Sequence, residues 1–460
     1  MSWKEQASDT GRGYYTLATE DTGNVPIRLF LTPALLDSVE DSIYPQIVNA
    51  ARFPGARMVA ITPDVHHGYG VPIGTVLLTD ADTGAVAMGP VGYDISCGMV
   101  SASSEVAIGA ATPDNRLRFN REVTRRVALG AGKASHTRLK DLSRQQFEAI
   151  IRGGARHYVE RYGAKVDRSH SERDVIPVDD RWQPPWDGPG RPERGVPQLG
   201  TLGGGNHFIE LQGNVKTDSL YVQLHSGSRG FGHGLATNYF HLARKENPTI
   251  KALDLGYFTP DSKHYADYLN AVAAGANFAI VNRLAMFEQI ALAFETVFGK
   301  PLSLVYEISH NLVQREFSPE FGWVHVHRKG ATRAFPGGHD ALKGTPWEQD
   351  GHPILIPGSN HDASFILRAT PTASISGYSV NHGAGRRMSR GAARKTLRQA
   401  DVDAEYRKAG IVVNVDGAVP IDESREVYKS SREVVAAVIR ARLATVEHEL
   451  MPLASIKGGE

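Results

Sequence analysis

Several β-like runs of this chain carry a polar, ligand-type side chain at one end, next to glycine or another small residue. Four such segments are DISCG with Asp94 and Cys97, GGGNHFIE with Asn206, His207 and Glu210, LHSGSRG with His225 and Arg229, and EISHN with His310. A rigid sheet holds the loops at its strand ends in fixed positions, so such ends aim side chains at a common region. The pattern predicts one α/β unit whose strand ends converge on a single site.

The apolar periodicity adds helices and further strands around these runs. Helices are predicted over 33–52, 115–162 and 264–299, from Gly383 onward, and over about 431–448. Strands are predicted at 58–62 with an end at Pro63, in VPIGTVLLTD at 71–80, in HFIELQ near 207, at 219–230, 302–311 and 323–330, and in ILIPG and ASFIL. The Pro/Gly/Trp-rich segment 179–198 is interpreted as a linker or a lid. We expect a single large domain over residues 1–460.

The single cysteine limits the chemistry of the chain. Cys97 excludes an intramolecular disulfide and a multi-cysteine zinc site, and it suits a reducing compartment. No run reaches the ~18 apolar residues of a membrane helix, and no signal-peptide pattern is visible, so we expect a cytoplasmic protein. Because 51 basic and 50 acidic residues leave a net charge of +1, any nucleic-acid-binding surface must be local.

The polar strand ends form a good ligand set for divalent transition metals, because they combine a thiolate, imidazoles and a carboxylate. Taken singly, each residue has an alternative: Cys97 could be buried filler, and a histidine after a strand could be structural. The spacing alone leaves both interpretations open. Ligand softness would favour zinc over manganese.

A second candidate region is SVNHGAGRRMSRGAARK, residues 379–395. A small-residue loop that opens a helix can bind an anion, arginines add bidentate phosphate contacts, and a neutral His382 is a competent nucleophile toward phosphorus. The alternative is a glycine turn followed by a solvated basic helix. A weaker candidate is PDVHHGYGVPIG at 63–74, where Asp64, His66 and His67 could support the site or contact substrate.

The motifs, in their order along the chain, resemble those of the RtcB-type RNA ligases. They are DVHHGYGVPIG, GYDISCG, TLGGGNHFIELQ, LHSGSRGFGH, EISHN, HRKGATRAF, PGS and HGAGRRMSR over residues 63–390, followed by YKS at 428–430 and IKG at 456–458. The resemblance implies mixed sheets flanked by helices, with a central cleft for metal and nucleotide. It also implies a GTP- and manganese-dependent enzyme that joins RNA ends bearing a 2′,3′-cyclic phosphate or 3′-phosphate to a 5′-hydroxyl.

The resemblance also assigns roles to residues. It implies that Cys97 bridges two Mn²⁺ ions, with His225 and His310 on one ion and Asp94 and His207 on the other, and that His382 is the nucleophile. The GTP pocket would comprise Asn206, His207, Phe208, Glu210, His310, Asn311, Pro357, Gly358, Ser359, Asn360, Ser364, His382, Gly383, Ala384, Gly385 and Lys457, and RNA would contact Arg229 and Arg390. The expected partners are tRNA halves or damaged RNA, and an activating protein is a further partner that the resemblance allows. The expected state is a monomer. The alternative is a metal-dependent RNA end-processing phosphoesterase without ligation.

The chain departs from the usual family pattern at several positions near these motifs. They are Gly89-Pro90, Ser96 in place of Asn, Met99-Val100, Asn360-His361-Asp362 after PGS, and His67 in place of Trp. The proposed metal ligands and His382 keep the family residue types. The departures therefore concern the fit of substrate and nucleotide.

Overall fold

Two large β-sheets form the centre of the fold in the computed structural model, which describes residues 2–23, 25–250 and 252–459. The sheet that we call the site sheet has the strand order Ser303–Ser309, Gly98–Ser103, Ser219–Ser226, Phe208–Asn214, Ala444–Lys457, Ser364–Ala369 and Pro353–Ile356, with Val412–Val413 pairing in parallel to Ala444–Lys457. The flanking sheet has the order Ser8–Asp9, Tyr15–Leu17, Ile27–Leu29, Ala56–His66, Ile73–Asp80, Gly322–Lys329 and Asn311–Ser318. The predicted architecture of mixed sheets flanked by helices is confirmed.

Short strand pairs and helices surround the two sheets. The pairs are Val86–Ala87 with Tyr257–Phe258, Ala331–Arg333 with Ser379–Asn381, and Ala128–Leu129 with Thr201–Gly203. The α-helices are Pro33–Ser38, Tyr44–Ala51, Pro113–Arg126, Arg144–Tyr162, Arg229–Glu246, Tyr265–Phe298, Arg390–Thr396, Gln399–Ala409 and Ser431–Arg440. Within the described part of the chain, none of the helices combines the length and the apolar character that a membrane span requires.

Both faces of the flanking sheet are buried along its strand Ala56–His66, which explains the apolar run at residues 58–61. Val59 and Ile61 belong to the core under the first two helices, whereas Met58 and Ala60 belong to a second core shared with the site sheet. A strand covered on both faces loses the polar alternation of a half-exposed strand. The segment 179–198 packs beside the helix Arg229–Glu246, and its interpretation as a linker or a lid stays a prediction.

The long helix Tyr265–Phe298 confirms the prediction for 264–299. Small and apolar residues cover all sides of its middle part, and most of them are buried. Such a helix lies inside a protein rather than on its surface. It packs against three other helices and the ends of the site-sheet strands.

Two predicted helices are wrong in part. The region 33–52 forms two short helices, because Pro45 starts a new helix after a 3₁₀ turn at Asp41–Ile43. The region 431–448 is helical only to Arg440, and after Arg442, whose φ is +55°, the chain continues as the strand Ala444–Lys457. The alternating polar and apolar residues of this strand favour β-structure.

Three further boundaries also differ from prediction. The strand predicted to end at Pro63 continues to His66, because the register shifts between Ile61 and His66 and the missing N–H of proline removes no ladder bond there. The basic helix begins at Arg390 with Ser389 as its N-cap, so residues 383–389 are a loop. The region 115–162 contains two helices separated by residues 127–143.

A buried arginine on the long helix joins the strand ends of the site sheet. Arg283 is fully buried and pairs with the equally buried Glu307, with 2.6 Å between Nε and Oε1. The same guanidinium donates to the carbonyls of Ser96 (2.5 Å) and Ser226 (3.0 Å) and to Oγ of Ser309 (3.0 Å). These three serines adjoin Cys97, His225 and His310 in sequence. Arg283 therefore fixes the relative positions of three predicted ligands.

We expect Arg283→Met to lower the free energy of unfolding by about 3–5 kcal/mol, because Glu307 would remain as an unpaired buried charge. The double variant Arg283→Met/Glu307→Gln should recover part of this loss. Urea denaturation followed by circular dichroism measures both changes. Arg125→Met, which removes a mostly exposed ion pair with Glu122, is the control and should change stability by less than about 1 kcal/mol. An equal loss in Arg283→Met and Arg125→Met would contradict the prediction.

Candidate active site

The register of the site sheet brings three of the predicted metal ligands together. In the two antiparallel pairs on either side of Gly98–Ser103, Gly98 is opposite Ser226 on one neighbour and Ser309 on the other. Cys97 immediately precedes Gly98, His225 precedes Ser226, and His310 follows Ser309. Residues far apart in sequence thus meet at one edge of the sheet.

The ligand atoms form two groups that share the thiol. Cys97 Sγ lies 3.1 Å from His225 Nε2 and 3.4 Å from His207 Nε2. His225 Nε2 is 3.2 Å from His310 Nε2, and His207 Nε2 is 3.1 Å from Asp94 Oδ2. One candidate cation group is Cys97, His225 and His310, and the other is Asp94, Cys97 and His207. This is the same division of ligands that the sequence resemblance implies.

The hydrogen bonds behind the imidazoles test whether a cation fits. His207 Nδ1 lies 2.9 Å from the Leu202 carbonyl, and His225 Nδ1 lies 3.1 Å from the Asn206 carbonyl. A ring that donates from Nδ1 presents the lone pair of Nε2 on its other side, which is the usual support for a metal-binding histidine. The Nε2 atoms converge on one sulfur and on each other, and the single S–H of Cys97 cannot donate to all of them. A divalent cation satisfies this arrangement.

Burial controls the protonation of the cluster. Desolvation holds the pKa values of His225 and His310 well below the usual range, so both rings are neutral and able to coordinate. Burial and the nearby Asp94 raise the pKa of the Cys97 thiol, which a bound cation would deprotonate. For Asp94 itself burial acts upward, but the hydrogen bond and charge of His207 and the charge of Arg229 lower the pKa below its ordinary value.

A glycine lets the loop after His225 approach the carboxylate. A Cβ placed on Gly227 would lie 2.3 Å from Asp94 Oδ1. The next residue, Ser228, donates its backbone N–H to the same oxygen over 3.0 Å. Arg229 follows with Nη1 3.2 Å from His207 Nδ1, so the predicted RNA contact lies beside the metal ligands.

His382 lies against this cluster and is held by a buried carboxylate. Its Nδ1 is 2.6 Å from Asp64 Oδ2, and its backbone N–H donates to the same oxygen over 3.2 Å. Asp64 is fully buried and also accepts from Thr62 Oγ1. The His382 ring packs edge-on against His310, with 4.9 Å between ring centroids. Nδ1 is thus engaged, and Nε2 is the nitrogen available for chemistry.

The site comprises two adjoining cavities that share Tyr69, Ile73, Asn206 and His382. The first, of about 220 Å³, contains the predicted residues Asp94, Cys97, His310 and Asn311 in its wall. The second, of about 380 Å³, is lined by the predicted nucleotide residues Asn206, Phe208, Glu210, Pro357, Gly358, Ser359, Asn360, His382, Gly383, Ala384, Gly385 and Lys457, together with His225 and Arg390. Ser364 supports this wall from behind, since its Oγ accepts the N–H of Gly358 over 3.1 Å.

One carboxylate forms ion pairs with three positively charged side chains at the second cavity. Glu423, only 3% exposed, lies 3.2 Å from Lys457 Nζ and 3.0 Å from the nearest guanidinium nitrogens of Arg386 and Arg390. Its carboxylate also accepts from the Tyr428 hydroxyl. Sequence reasoning missed Glu423, because no local pattern marks it within the charged segment 421–426.

A second carboxyl group lies deep in the same cavity. Glu210 is buried, accepts a hydrogen bond from Gln212 Nε2 over 2.6 Å, and has its pKa raised to about 8 by desolvation. Asn360 lies in the same wall, and its Oδ1 accepts from the Tyr406 hydroxyl. The cavity therefore combines buried polar groups with cations, which is suited to a ligand with a polar ring and phosphates.

Comparison with known proteins agrees with this geometry. A family model described as "tRNA-splicing ligase RtcB" matches residues 46–458. The "tRNA-splicing ligase RtcB" of Archaeoglobus fulgidus is 34% identical, with 94% of this chain and 95% of the relative covered. The "RNA-splicing ligase RtcB" of Mycobacterium tuberculosis is 35% identical, with 90% and 100% covered, and the "tRNA-splicing ligase RtcB" of Methanococcus maripaludis is 30% identical, with 95% and 96% covered. The family match over most of the chain and these identities over nearly the full length of each relative show that this chain belongs to the RtcB family.

Proposed function

We propose that this protein is an RNA ligase that uses GTP and Mn²⁺ to join a 2′,3′-cyclic phosphate or 3′-phosphate RNA end to a 5′-hydroxyl end. The observation that carries the proposal is the position of His382 in the wall shared by the two cavities. One cavity offers converging metal ligands, and the other offers cations around buried polar groups. A nucleophile between them can reach a phosphate that spans both.

The reaction begins with His382. Its neutral Nε2 attacks the α-phosphate of GTP, a P–N bond forms, and the bond to the departing pyrophosphate breaks. The Nδ1 proton stays with the ring, where Asp64 at 2.6 Å stabilises the positive charge that develops. This step leaves GMP joined covalently to His382.

The later steps transfer GMP and then release it. An oxygen of the RNA 3′-phosphate attacks the phosphorus of the histidine-bound GMP, which breaks the P–N bond and restores neutral His382. The 5′-hydroxyl of the second RNA end then attacks the activated 3′-phosphate, loses its proton, and displaces GMP. A 2′,3′-cyclic phosphate is first opened by water to a 3′-phosphate.

The metal ligands would hold the cations that neutralise the negative charge of the phosphates in these steps. Asp94, Cys97, His207, His225 and His310 would hold two divalent cations. When bound, the cations neutralise phosphate charge and act as Lewis acids. Manganese follows from the family resemblance, whereas the thiolate and imidazole ligands alone favour zinc.

Glu210 supports a preference for guanine. An ionised Glu210 accepts two hydrogen bonds side by side, and the guanine edge presents the N1–H and N2–H donors that match it, so bound guanine would favour the ionised form over the neutral acid of the empty cavity. Adenine presents an acceptor at N1, so it could not donate the two adjacent hydrogen bonds to Glu210 that guanine donates. The other cavity-wall residues surround the sugar and phosphates, where Lys457, Arg386 and Arg390 supply positive charge.

The first prediction concerns the covalent intermediate. Incubation with GTP labelled at the α-phosphate and Mn²⁺ should give an acid-labile protein adduct, and His382→Ala should reduce it by at least ~100-fold because the attacking nitrogen is lost. Gel electrophoresis with autoradiography measures the adduct. His136→Ala removes an exposed histidine outside both cavities and should form the adduct normally. If no adduct forms with any divalent metal while cyclic-phosphate RNA is still hydrolysed, the protein is a phosphoesterase instead.

The second prediction concerns the shared thiol. Cys97→Ala should bind at least one metal ion fewer per chain, because Sγ belongs to both ligand groups. Elemental analysis after loading with Mn²⁺ and desalting measures the metal, and circular dichroism checks that the fold is retained. His325→Ala alters a histidine that belongs to neither ligand group and should keep the wild-type metal content. Unchanged metal in Cys97→Ala would refute the bridging role.

The third prediction concerns pH. Because burial raises the pKa of Glu210 from 4.5 to about 8, the folded protein binds more protons than the unfolded chain between these values, and this group's contribution to stability falls as pH rises. We expect Glu210→Gln to be more stable than wild type at pH 8, by a few kcal/mol at most, and to show little difference at pH 4.5. Urea denaturation without metal and GTP tests this. Parallel pH dependence in both proteins would contradict the raised pKa.

A further inference from the structure

An exposed tyrosine stands at the rim shared by the two cavities. Tyr69 is 72% exposed, yet it lines both the first and the second cavity. Neither the phosphoryl-transfer chemistry nor the nucleotide contacts proposed above use this ring. Single exposed aromatic residues are common on protein surfaces, so the surroundings of Tyr69 decide whether it has a role.

The loop that carries Tyr69 is fixed from below by side chains. The three consecutive carbonyls of residues 68–70 accept hydrogen bonds from Gln46 Nε2 (2.6 Å), Lys329 Nζ (2.7 Å) and Asn49 Nδ2 (2.8 Å), in that order. Gln46 and Lys329 are both buried. The backbone is thus held firmly while the ring remains in solvent, an arrangement that prepares an aromatic surface for a ligand.

The first cavity continues this aromatic character. Besides the metal ligands and Tyr69, its wall contains Tyr93 and Phe240, whose rings stack with 4.6 Å between centroids. Asp94 and Cys97 lie in the same wall. A phosphate bound at the metal ligands would therefore bring the nucleoside attached to it against aromatic side chains. Glu210, which suits guanine, lines only the second cavity.

We propose that Tyr69 stacks on the terminal base of the RNA end that carries the 3′-phosphate. This inference rests on the proposed function and names how that site recognises its RNA substrate. Every base has an aromatic face, so stacking is tolerant of sequence. Tyr69 is accordingly a substrate-binding residue that positions the 3′-phosphate beside His382 and the metal ligands.

The test is a thermodynamic cycle between the ring and the base. Binding of 5′-fluorescein oligoribonucleotides ending in a 3′-phosphate is measured by fluorescence anisotropy with Mn²⁺ and without GTP. One oligonucleotide has a normal terminal base, and the other has an abasic terminal nucleotide. We expect Tyr69→Ala to raise Kd for the normal end roughly 5- to 100-fold and for the abasic end less than 2-fold. Tyr69→Phe and Tyr69→Trp should bind the normal end within about 3-fold of wild type.

The controls separate this inference from the proposed function. Trp323→Ala, which removes another exposed aromatic residue that lines neither cavity, should leave Kd unchanged. If Tyr69→Ala weakens binding of the normal and the abasic end equally, the stacking role is overturned. If Tyr69→Ala also reduces formation of the guanylate adduct from GTP in the absence of RNA, the ring contacts the nucleotide instead, which overturns the proposal as well. A separate 3′-fluorescein oligoribonucleotide with a 5′-hydroxyl end is measured in the same way, and weakening confined to it would assign the ring to the other RNA strand and overturn the proposal. A wild-type protein that forms no GTP adduct but shows the expected cycle would refute only the ligase mechanism.

Discussion

The buried ion pair between Arg283 and Glu307 is the interaction on which the site depends. Removing both charges from water is costly, and the attraction between them offsets this only with good geometry and further hydrogen bonds. Arg283 has both, since its other donors are used by the backbone and hydroxyl groups that adjoin three metal-type ligands. The preceding Asn282 adds bonds to the backbone of residues 200, 201 and 227. One turn of a buried helix thus organises four separate loops.

The two cavities are complementary in charge. The wall of the first cavity contains Cys97, His310 and the carboxylates of Asp94 and Asp254 beside the amine of Lys329. The ligand atoms of Asp94, Cys97 and His310 suit a divalent cation. In the second cavity Glu423 holds the cationic side chains of Lys457, Arg386 and Arg390 in place, an arrangement that suits a phosphate group. With cations bound in the first cavity, an anionic ligand that bridges the two cavities would be stabilised from both sides. His382 stands where these environments meet, and Asp64 fixes which of its nitrogens faces the ligand.

The sequence predicted the parts of the fold that depend on local pattern, and it missed those that depend on distant contacts. The polar strand ends indicated convergence, and the register of Gly98 with Ser226 and Ser309 supplies the physical reason. The roles of Arg283 and Glu423 could not be predicted from the sequence, because a buried charged residue is recognised only when the partner that it contacts in the fold is known. The segment 441–448 was predicted as helix, although pairing with Ser364–Ala369 determines its strand conformation. Asp64 contacts His382 although the two residues are 318 positions apart in the sequence. No local motif could predict this contact.

Two of the positions where the chain departs from the family pattern, Ser96 and Asn360, are held by local contacts. Ser96 has φ of +58°, a left-handed conformation that asparagine, the usual family residue, adopts more easily. Here the conformation is held by bonds from its N–H to the Asn311 carbonyl and from Arg283 to its own carbonyl. Asn360 is likewise oriented by Tyr406. In both cases the supporting contact comes from a side chain outside the departing segment, Arg283 for Ser96 and Tyr406 for Asn360.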